Sequence, residues 1–242
     1  MRAARSGGLI TLSGPPRNMT VVVPLDASGD RVVPISVSVA GQPTIYRASV
    51  RSFGAGRSEL RLRLPADTPP GTYNGEGTVG GKQFGIVVEV EPVLRIRVQP
   101  KQTLVSVAAS SSVEFAFTVL NGGNVLFDVP RADAFDLDDD VGQDRALGRT
   151  LRASLSQGER RVDRFFDELR ESHGGEARVV VKDGAGRLAP GEARELTCVL
   201  AVPATVREGR SYVGAWQLWN GAHIIVAEIL TSGRPRNGRA KP

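Results

Sequence analysis

The sequence has little of the chemistry on which most active sites depend. Its 242 residues include one cysteine, Cys198, and two histidines, His173 and His223. A single thiol excludes an intramolecular disulfide, and so few cysteine and histidine side chains leave no Cys/His zinc cluster. Neither the G-x-S-x-G motif nor the H-E-x-x-H motif occurs. We therefore predict a protein without catalytic residues, metal site or cofactor, in which Cys198 is a buried core residue.

Aromatic residues and long apolar runs are also scarce. Aromatic side chains make up 5% of the chain, which supplies a sugar-stacking cleft poorly. No apolar run reaches the roughly 18 residues of a membrane-spanning helix, and no secretory signal follows Met1. We expect no transmembrane segment. These observations do not exclude the cytoplasm as the compartment, and they do not exclude the envelope.

The chain is basic, but its positive charge is concentrated at the two ends. The formal net charge is +5 and the isoelectric point is near 9.9. Positive charges cluster in the Pro- and Gly-rich C-terminus and in a similarly loose N-terminus: Arg234, Arg236, Arg239 and Lys241, and Arg2, Arg5 and Arg17. Because the body of the chain is near neutral, we predict a basic disordered tail over residues 234–242 and no nucleic-acid partner.

What the sequence does contain is one strand pattern that occurs twice, about 140 residues apart. An alternating strand, a Pro-to-Gly turn, a Tyr-led strand, a tight hairpin and a final strand follow in that order over residues 60–88 and again over 196–226. Such a duplication is typical of repeated β-sandwich units. We therefore predict an all-β protein of two tandem immunoglobulin-like β-sandwiches, over residues 1–92 and 93–233.

Period-two alternation marks the individual strands. Val33, Ile35 and Val37 alternate with Ser36 and Ser38, which predicts a half-buried strand with its apolar side toward a core. The first domain has candidate strands over residues 9–13, 19–25, 31–40, 44–52, 58–64, 72–79 and 83–91. The second domain opens with candidates over residues 94–98, 104–108 and 113–120.

Three segments of the second domain carry a family resemblance. Residues 115–127, then Pro190-Gly191-Glu192, then residues 202–212 resemble bacterial immunoglobulin-like and fibronectin type III-like domains of the cell-adhesion-related type. In those modules an N-x-G-N turn precedes a strand, here at residues 121–124, where Asn and Gly tolerate positive φ. The resemblance covers most of both domains. It implies the sandwich fold and a role in binding or spacing.

The sequence departs from this family over about residues 131–175. Two helical patterns of apolar residues lie on either side of Gly158. Their members are Leu147, Leu151 and Leu155 in the first pattern and Val162, Phe165, Phe166 and Leu169 in the second. We predict a helical insertion whose second helix ends within residues 172–175, with His173 near the negative end of the helix dipole and a glycine in the left-handed conformation.

Two motifs indicate ligands but lack the required context. Gly75-Glu-Gly77-Thr-Val-Gly80 matches the dinucleotide fingerprint, which needs a following helix, whereas another strand pattern follows here. The acidic run at residues 136–140 has carboxylates that suit Ca²⁺, but Leu147 stands where a calcium loop needs a bidentate glutamate. We predict a solvated acidic loop at 136–140 and leave cation binding open.

The last hairpins of the two domains differ on their outward sides. Around Gly80-Gly81 that side is polar, with Asn74, Glu76, Thr78, Gln83 and Glu89. Around Asn220-Gly221 it is apolar, with Val213, Ala215, Trp219, Ile224 and Val226. We predict that the second of these faces is covered, either by the inserted helices or by another protein. Tyr73 and Tyr212, which begin the penultimate strands, resemble the tyrosine corner of sandwich folds.

These patterns lead to one functional prediction and two alternatives. We predict a non-enzymatic structural or protein-interaction subunit of an envelope or surface-associated assembly, in the periplasm or at the cell surface. One alternative is a glycan-binding adhesion module that stacks sugars on Tyr46 and Trp219. The other is a pilus-type periplasmic chaperone with Arg95 or Arg97 in an interdomain cleft. The predicted partner-contact residues are Trp219, Ile224, Val226, Phe165 and Phe166.

Overall fold

The chain forms two compact units. The computed structural model describes residues 9–24, 32–39, 42–54, 56–79, 82–154 and 160–231. The first unit contains Met1–Arg95, Asn121–Phe127 and Ala189–Glu192, and the second contains Ile96–Leu120, Asp128–Leu188 and Ala193–Pro242.

The first unit is built from seven strands in the spatial order β1-β7-β6-β3-β4-β5-β2. The strands are β1 (Leu9–Gly14), β2 (Met19–Val23), β3 (Val32–Val39), β4 (Gln42–Gly54), β5 (Arg57–Leu62), β6 (Gly71–Val79) and β7 (Lys82–Val90). β1 pairs in parallel with β7, and the other pairs are antiparallel. β4 pairs with β3 up to Ser49 and with β5 from Ser49 onward, so it passes from one layer of the sandwich to the other.

The second unit holds the remaining strands and both helices. The strands are β8 (Ile96–Gln99), β9 (Gln102–Val107), β10 (Ser112–Asn121), β11 (Phe127–Val129), β12 (Ala132–Asp139), β13 (His173–Asp183), β14 (Gly186–Leu188), β15 (Ala193–Ala201), β16 (Ser211–Leu218) and β17 (Gly221–Ile229). The helices are α1 (Gly142–Arg152) and α2 (Arg161–Arg170). Eight strands form one sheet in the order β8-β10-β15-β13-β12-β16-β17-β9, and β11 pairs with β14.

The two units share one pattern of strand pairing. The last strand of the second unit, β17, pairs in parallel with β9, as β7 does with β1. The antiparallel pairs of β10, β12, β13, β15, β16 and β17 repeat those of β2 to β7 in the same order. The prediction of an all-β fold with two tandem immunoglobulin-like β-sandwiches, the second with a helical insertion, is confirmed.

Side-chain alternation places the two cores as the sequence pattern indicates. Val33, Ile35 and Val37 are buried in the first unit. In the second unit Cys198 is buried, and burial raises the pKa of its thiol to about 12, so the thiol is not a nucleophile at neutral pH. The core side of β16 and β17 contains Tyr212, Trp216, Leu218, His223, Ile225, Ala227 and Ile229.

Both tyrosine corners are present. The Tyr73 hydroxyl donates to the Pro69 carbonyl oxygen at 2.7 Å, and the Tyr212 hydroxyl accepts from the Arg207 amide at 3.0 Å. Each bond ties the start of a penultimate strand to the turn before it. Both tyrosines therefore make the hydrogen bond that their resemblance to a tyrosine corner implies.

The turn at residues 121–124 exists for a different reason from the one the sequence suggested. None of its residues has a positive φ. Asn124 is buried, accepts from the Val93 amide at 2.6 Å and donates to the Thr68 and Glu91 carbonyls. A Cβ on Gly123 would lie 2.1 Å from the Val93 carbonyl oxygen. The asparagine supplies buried hydrogen bonds, and the glycine allows close backbone approach.

The helical insertion joins β12 to β13, where the first unit joins β3 to β4 through residues 40–41. α2 ends at Arg170, and His173 is the first residue of β13, so the prediction of His173 at a helix end is wrong. His173 pairs with Asp138 of β12, so the chain has already re-entered the sheet at this residue. Leu155 and Gly158 lie outside the described residues.

Candidate interaction surface

A two-residue turn joins β16 to β17 and carries the exposed tryptophan. Leu218 pairs with Gly221, so the turn is Trp219-Asn220 and not Asn220-Gly221. Asn220 accepts a hydrogen bond from the Ile96 amide at 2.9 Å, and a Cβ on Gly221 would lie 3.0 Å from the Ile96 carbonyl oxygen. Gly221 is therefore required by close packing against β8, which moves the turn one residue earlier.

Trp219 combines high exposure with an unfavourable backbone conformation. Its side chain is 69% exposed, and its φ is +60°. A non-glycine residue at positive φ costs about 1–2 kcal/mol, and most hairpins place Gly, Asn or Asp there. Strain of this kind concentrates at functional sites. The sequence predicts a turn at Asn220-Gly221 with Trp219 just before it, and the structure places Trp219 within the turn itself.

Next to this turn, the outer side of the sheet formed by β16, β17 and β9 is apolar. Val213 pairs with Val226, which pairs with Leu104, and Ala215 pairs with Ile224 in the adjacent row. We call Leu104, Val213, Ala215, Ile224 and Val226 the hairpin face. Leu104 is exposed and the other four are half-buried. Contiguous apolar side chains on an outer sheet face are typical of an interaction surface.

The inserted helices do not bury the apolar side chains that were expected to cover this face. Leu147, Leu151 and Phe166 are 49%, 62% and 53% exposed, while Phe165 and Leu169 are half-buried. The helices instead pack on each other, with Arg149 of α1 bonded to Glu168 of α2 at 3.1 Å. These side chains therefore do not cover the hairpin face.

The predicted contact residues fall into two groups. The helices are anchored where Asp139 pairs with Tyr212, at the start of β16, whereas Trp219 follows the end of that strand. Seven steps along a strand correspond to roughly 23 Å. Ile224 and Val226 lie on the hairpin face with Trp219 beside it, and Phe165 and Phe166 belong to the separate group on α2.

The acidic run at residues 136–140 is not a solvated loop. Residues 136–139 are the last four of β12, where Asp136 and Asp138 point outward and Asp139 points inward. The Asp139 carboxylate is 1% exposed and accepts hydrogen bonds from Arg145 and, at 2.9 Å, from Arg210. A buried carboxylate requires such partners, and two arginines satisfy it. Among the described residues no group of acidic, His and Cys side chains is arranged to hold a metal ion.

The second histidine is part of the core. His223 is buried, stacks on Phe117 with ring centroids 4.1 Å apart, and places Nδ1 3.1 Å from the Pro100 carbonyl oxygen. Because a carbonyl oxygen only accepts, Nδ1 carries the proton, and the buried Nε2 has no hydrogen-bond partner in the described structure. Burial lowers the pKa of His223, and the Pro100 bond opposes this in part.

The glycine motif has a packing explanation. Gly75 and Gly77 lie in β6, where an added Cβ would lie 2.4 Å from the Ser36 carbonyl oxygen and 2.6 Å from the Phe84 ring. Gly80 lies outside the described residues. The two described glycines allow close packing within the sandwich, and a phosphate-binding turn would need a helix after the strand. Of the helices described, neither is long and apolar enough to span a membrane.

Comparisons with known proteins add little beyond the fold. No protein-family model matches the sequence, and no curated protein sequence matches it either. An I-band fragment of titin is similar at 9% identity and a TM-score of 0.35, over 93% of this chain and 62% of that chain. The titin domains Z1Z2 in complex with telethonin are similar at 14% identity and a TM-score of 0.25, over 94% of both chains.

A bacterial structure gives a similar score. A protein of unknown function from Porphyromonas gingivalis W83 shows 11% identity and a TM-score of 0.25, over 93% of this chain and 98% of that chain. This chain spans less than two thirds of the I-band fragment.

Proposed function

We propose that the chain is a non-enzymatic structural or protein-interaction subunit that binds a protein partner through the hairpin face and Trp219. The observation that carries this proposal is the exposed Trp219 side chain at a positive φ beside an apolar sheet face. An exposed tryptophan beside a flat apolar surface is the usual composition of an interface hot spot. The assembly that it joins is proposed to be associated with the envelope or cell surface, in the periplasm or outside.

Binding would bury the hairpin face and the Trp219 ring together. Cross-strand rows such as Leu104–Val226–Val213 present a nearly continuous apolar strip, which a partner can desolvate without breaking hydrogen bonds. Trp219 adds a large, rigid ring with two side-chain torsions, so ordering it costs little entropy. The β-sandwich supplies a rigid support for both.

The test is partner capture by full-length variants in the native cells. Trp219→Ala should weaken recovery of a stoichiometric protein partner by about 30-fold or more, because tryptophan hot spots contribute at least about 2 kcal/mol. Ile45→Ala is the matched control, since Ile45 is an equally exposed apolar residue of the first unit. Equal recovery of every partner by both variants would show that the proposal is wrong.

The same experiment addresses glycan binding. That alternative needs two aromatic platforms, but Tyr46 is half-buried and packs against the core of the first unit. Recovery of a glycan with wild type, and its loss with Trp219→Ala, would replace the protein partner by a carbohydrate. Cell fractionation with the same tagged chain would test the proposed location.

A further inference from the structure

The exposed side of α1 carries a self-complementary set of residues. Gly142, Ala146 and Thr150 face inward and are buried. At 3.6 residues per turn the opposite side contains what we call the α1 stripe, formed by Asp144, Leu147, Gly148, Leu151 and Arg152. The two leucines are about half exposed or more, so the larger apolar side chains point outward and the small ones inward.

The charged residues at the two ends of the α1 stripe, Asp144 and Arg152, differ from the other charged residues of the helices in their ion pairing. Within the described residues, every other charged side chain of α1 and α2 bonds to a partner in the same chain. These bonds are Arg145–Asp139, Arg149–Glu168, Arg164–Glu168, Asp163–Arg160, Arg170–Asp167 and Arg161 to the Thr150 carbonyl. Asp144 and Arg152 are exposed and have no such partner among the described residues. Each lies four residues from Gly148, one on either side.

We propose that the α1 stripe packs against the same stripe of a second copy of the chain, with the two helices antiparallel about a twofold axis near Gly148. In that arrangement Asp144 of each copy faces Arg152 of the other, and the four leucines meet between these ion pairs. Gly148 weakens the interior of a helix, and a Cβ there would meet only the guanidinium of Arg152, at 3.3 Å. Its lack of a side chain allows the helices to cross closely.

The test is sedimentation equilibrium of the full chain at concentrations up to about 1 mM. Wild type is expected to form a dimer. Asp144→Arg and Arg152→Asp should each weaken it by about tenfold or more, because each places two like-charge pairs in the dimer. The control is Glu114→Arg, which makes the same reversal from negative to positive charge at an exposed position of β10. It should leave the dimer unchanged.

The decisive experiment is an equimolar mixture of the two variants. A copy with Arg at 144 and a copy with Asp at 152 restore opposite charges at both contacts, so a heterodimer of near wild-type affinity should form. Helix destabilisation by a reversed terminal charge would not be rescued by mixing, which separates association from folding. A monomeric wild type, unaffected single variants, or a mixture that stays monomeric would each overturn the proposal. Partner capture through Trp219 is measured separately and does not depend on this outcome.

Discussion

The two units of the molecule share strand pairing and differ on their outer faces. Aligned through Tyr73 and Tyr212, position 74 corresponds to 213, position 76 to 215 and position 11 to 104. At these three places the first unit has Asn74, Glu76 and Thr11, and the second has Val213, Ala215 and Leu104. The core pattern that specifies the fold is kept, whereas the outer pattern, which the fold does not require, has changed from polar to apolar. We interpret the difference as a difference in what each face contacts.

A second difference lies between the third and fourth strands of the common pattern. Residues 40–41 join them in the first unit, while α1 and α2 join them in the second, with Asp139 as the anchor.

Asp139→Ala should have the largest effect on stability, about 3 kcal/mol, because it leaves Arg145 and Arg210 without their buried partner. Denaturant unfolding followed by tryptophan fluorescence measures this in the second unit, since both tryptophans belong to it.

The control for this variant is Asp140→Ala, at the exposed carboxylate next in the sequence, which should change stability by less than about 0.5 kcal/mol. Equal effects of the two substitutions would contradict the anchoring role of Asp139.

Exchange of outer-face residues tests the difference in contacts. The triple variant Leu104→Thr/Val213→Asn/Ala215→Glu gives the second unit the residues of the first and should weaken partner binding by about 100-fold, or about 2.7 kcal/mol. Its stability should change little because these side chains point away from the core. The reverse exchange, Thr11→Leu/Asn74→Val/Glu76→Ala, is the matched control. If partner binding, measured by calorimetry, were weakened equally by both exchanges, the hairpin face would have no special role.

At one aligned core position the first unit has Phe84 and the second has His223. The pKa of His223 is lowered by burial, so its folded-state pKa lies below the unfolded value near 6.5. Folding then disfavours the proton, and stability falls as the pH drops below that value. His223→Phe should remove this dependence and stabilise the protein at pH 5 by about 1 kcal/mol. Unfolding curves at pH 5 and pH 7 check this, and an unchanged pH dependence in the variant would contradict it.

The smallest predicted stability effect concerns the hairpin tip. Trp219→Gly relieves the cost of positive φ but adds backbone entropy to the unfolded chain, so a net gain of about 0.5 kcal/mol is expected. The same variant should lose partner binding. A thermal melt beside a binding titration measures both, and a loss of stability would show that Trp219 supports the fold.

Strand positions and burial followed from local patterns. Alternating apolar residues, as at Val33 to Val37, carry the information about which side faces the core, because each side chain in a strand points opposite to its neighbours. The buried Cys198 and both tyrosine corners followed in the same way. These features depend on residues close in sequence.

Features that depend on residues distant in the sequence could not be predicted from local patterns. Asp139 has the same chemistry as Asp136 and Asp138, and only Arg145 and Arg210 make it a buried anchor. Asn124 resembled a turn residue, yet its hydrogen bonds go to residues 31 to 56 positions earlier. The apolar spacing of α1 and α2 predicted helices but not which side they bury, because α1 buries the small residues Gly142, Ala146 and Thr150 and not its leucines.

The most direct measurement of the central claim is site-specific photo-crosslinking in native cells at Val226 and, separately, at Val87. These valines occupy aligned positions on the outer faces of β17 and β7, and both are half-buried. A discrete crosslinked protein partner at position 226, absent at position 87, is the expected result. Crosslinks of equal yield at both positions, or at position 87 only, would contradict the claim that the second unit carries the interaction surface.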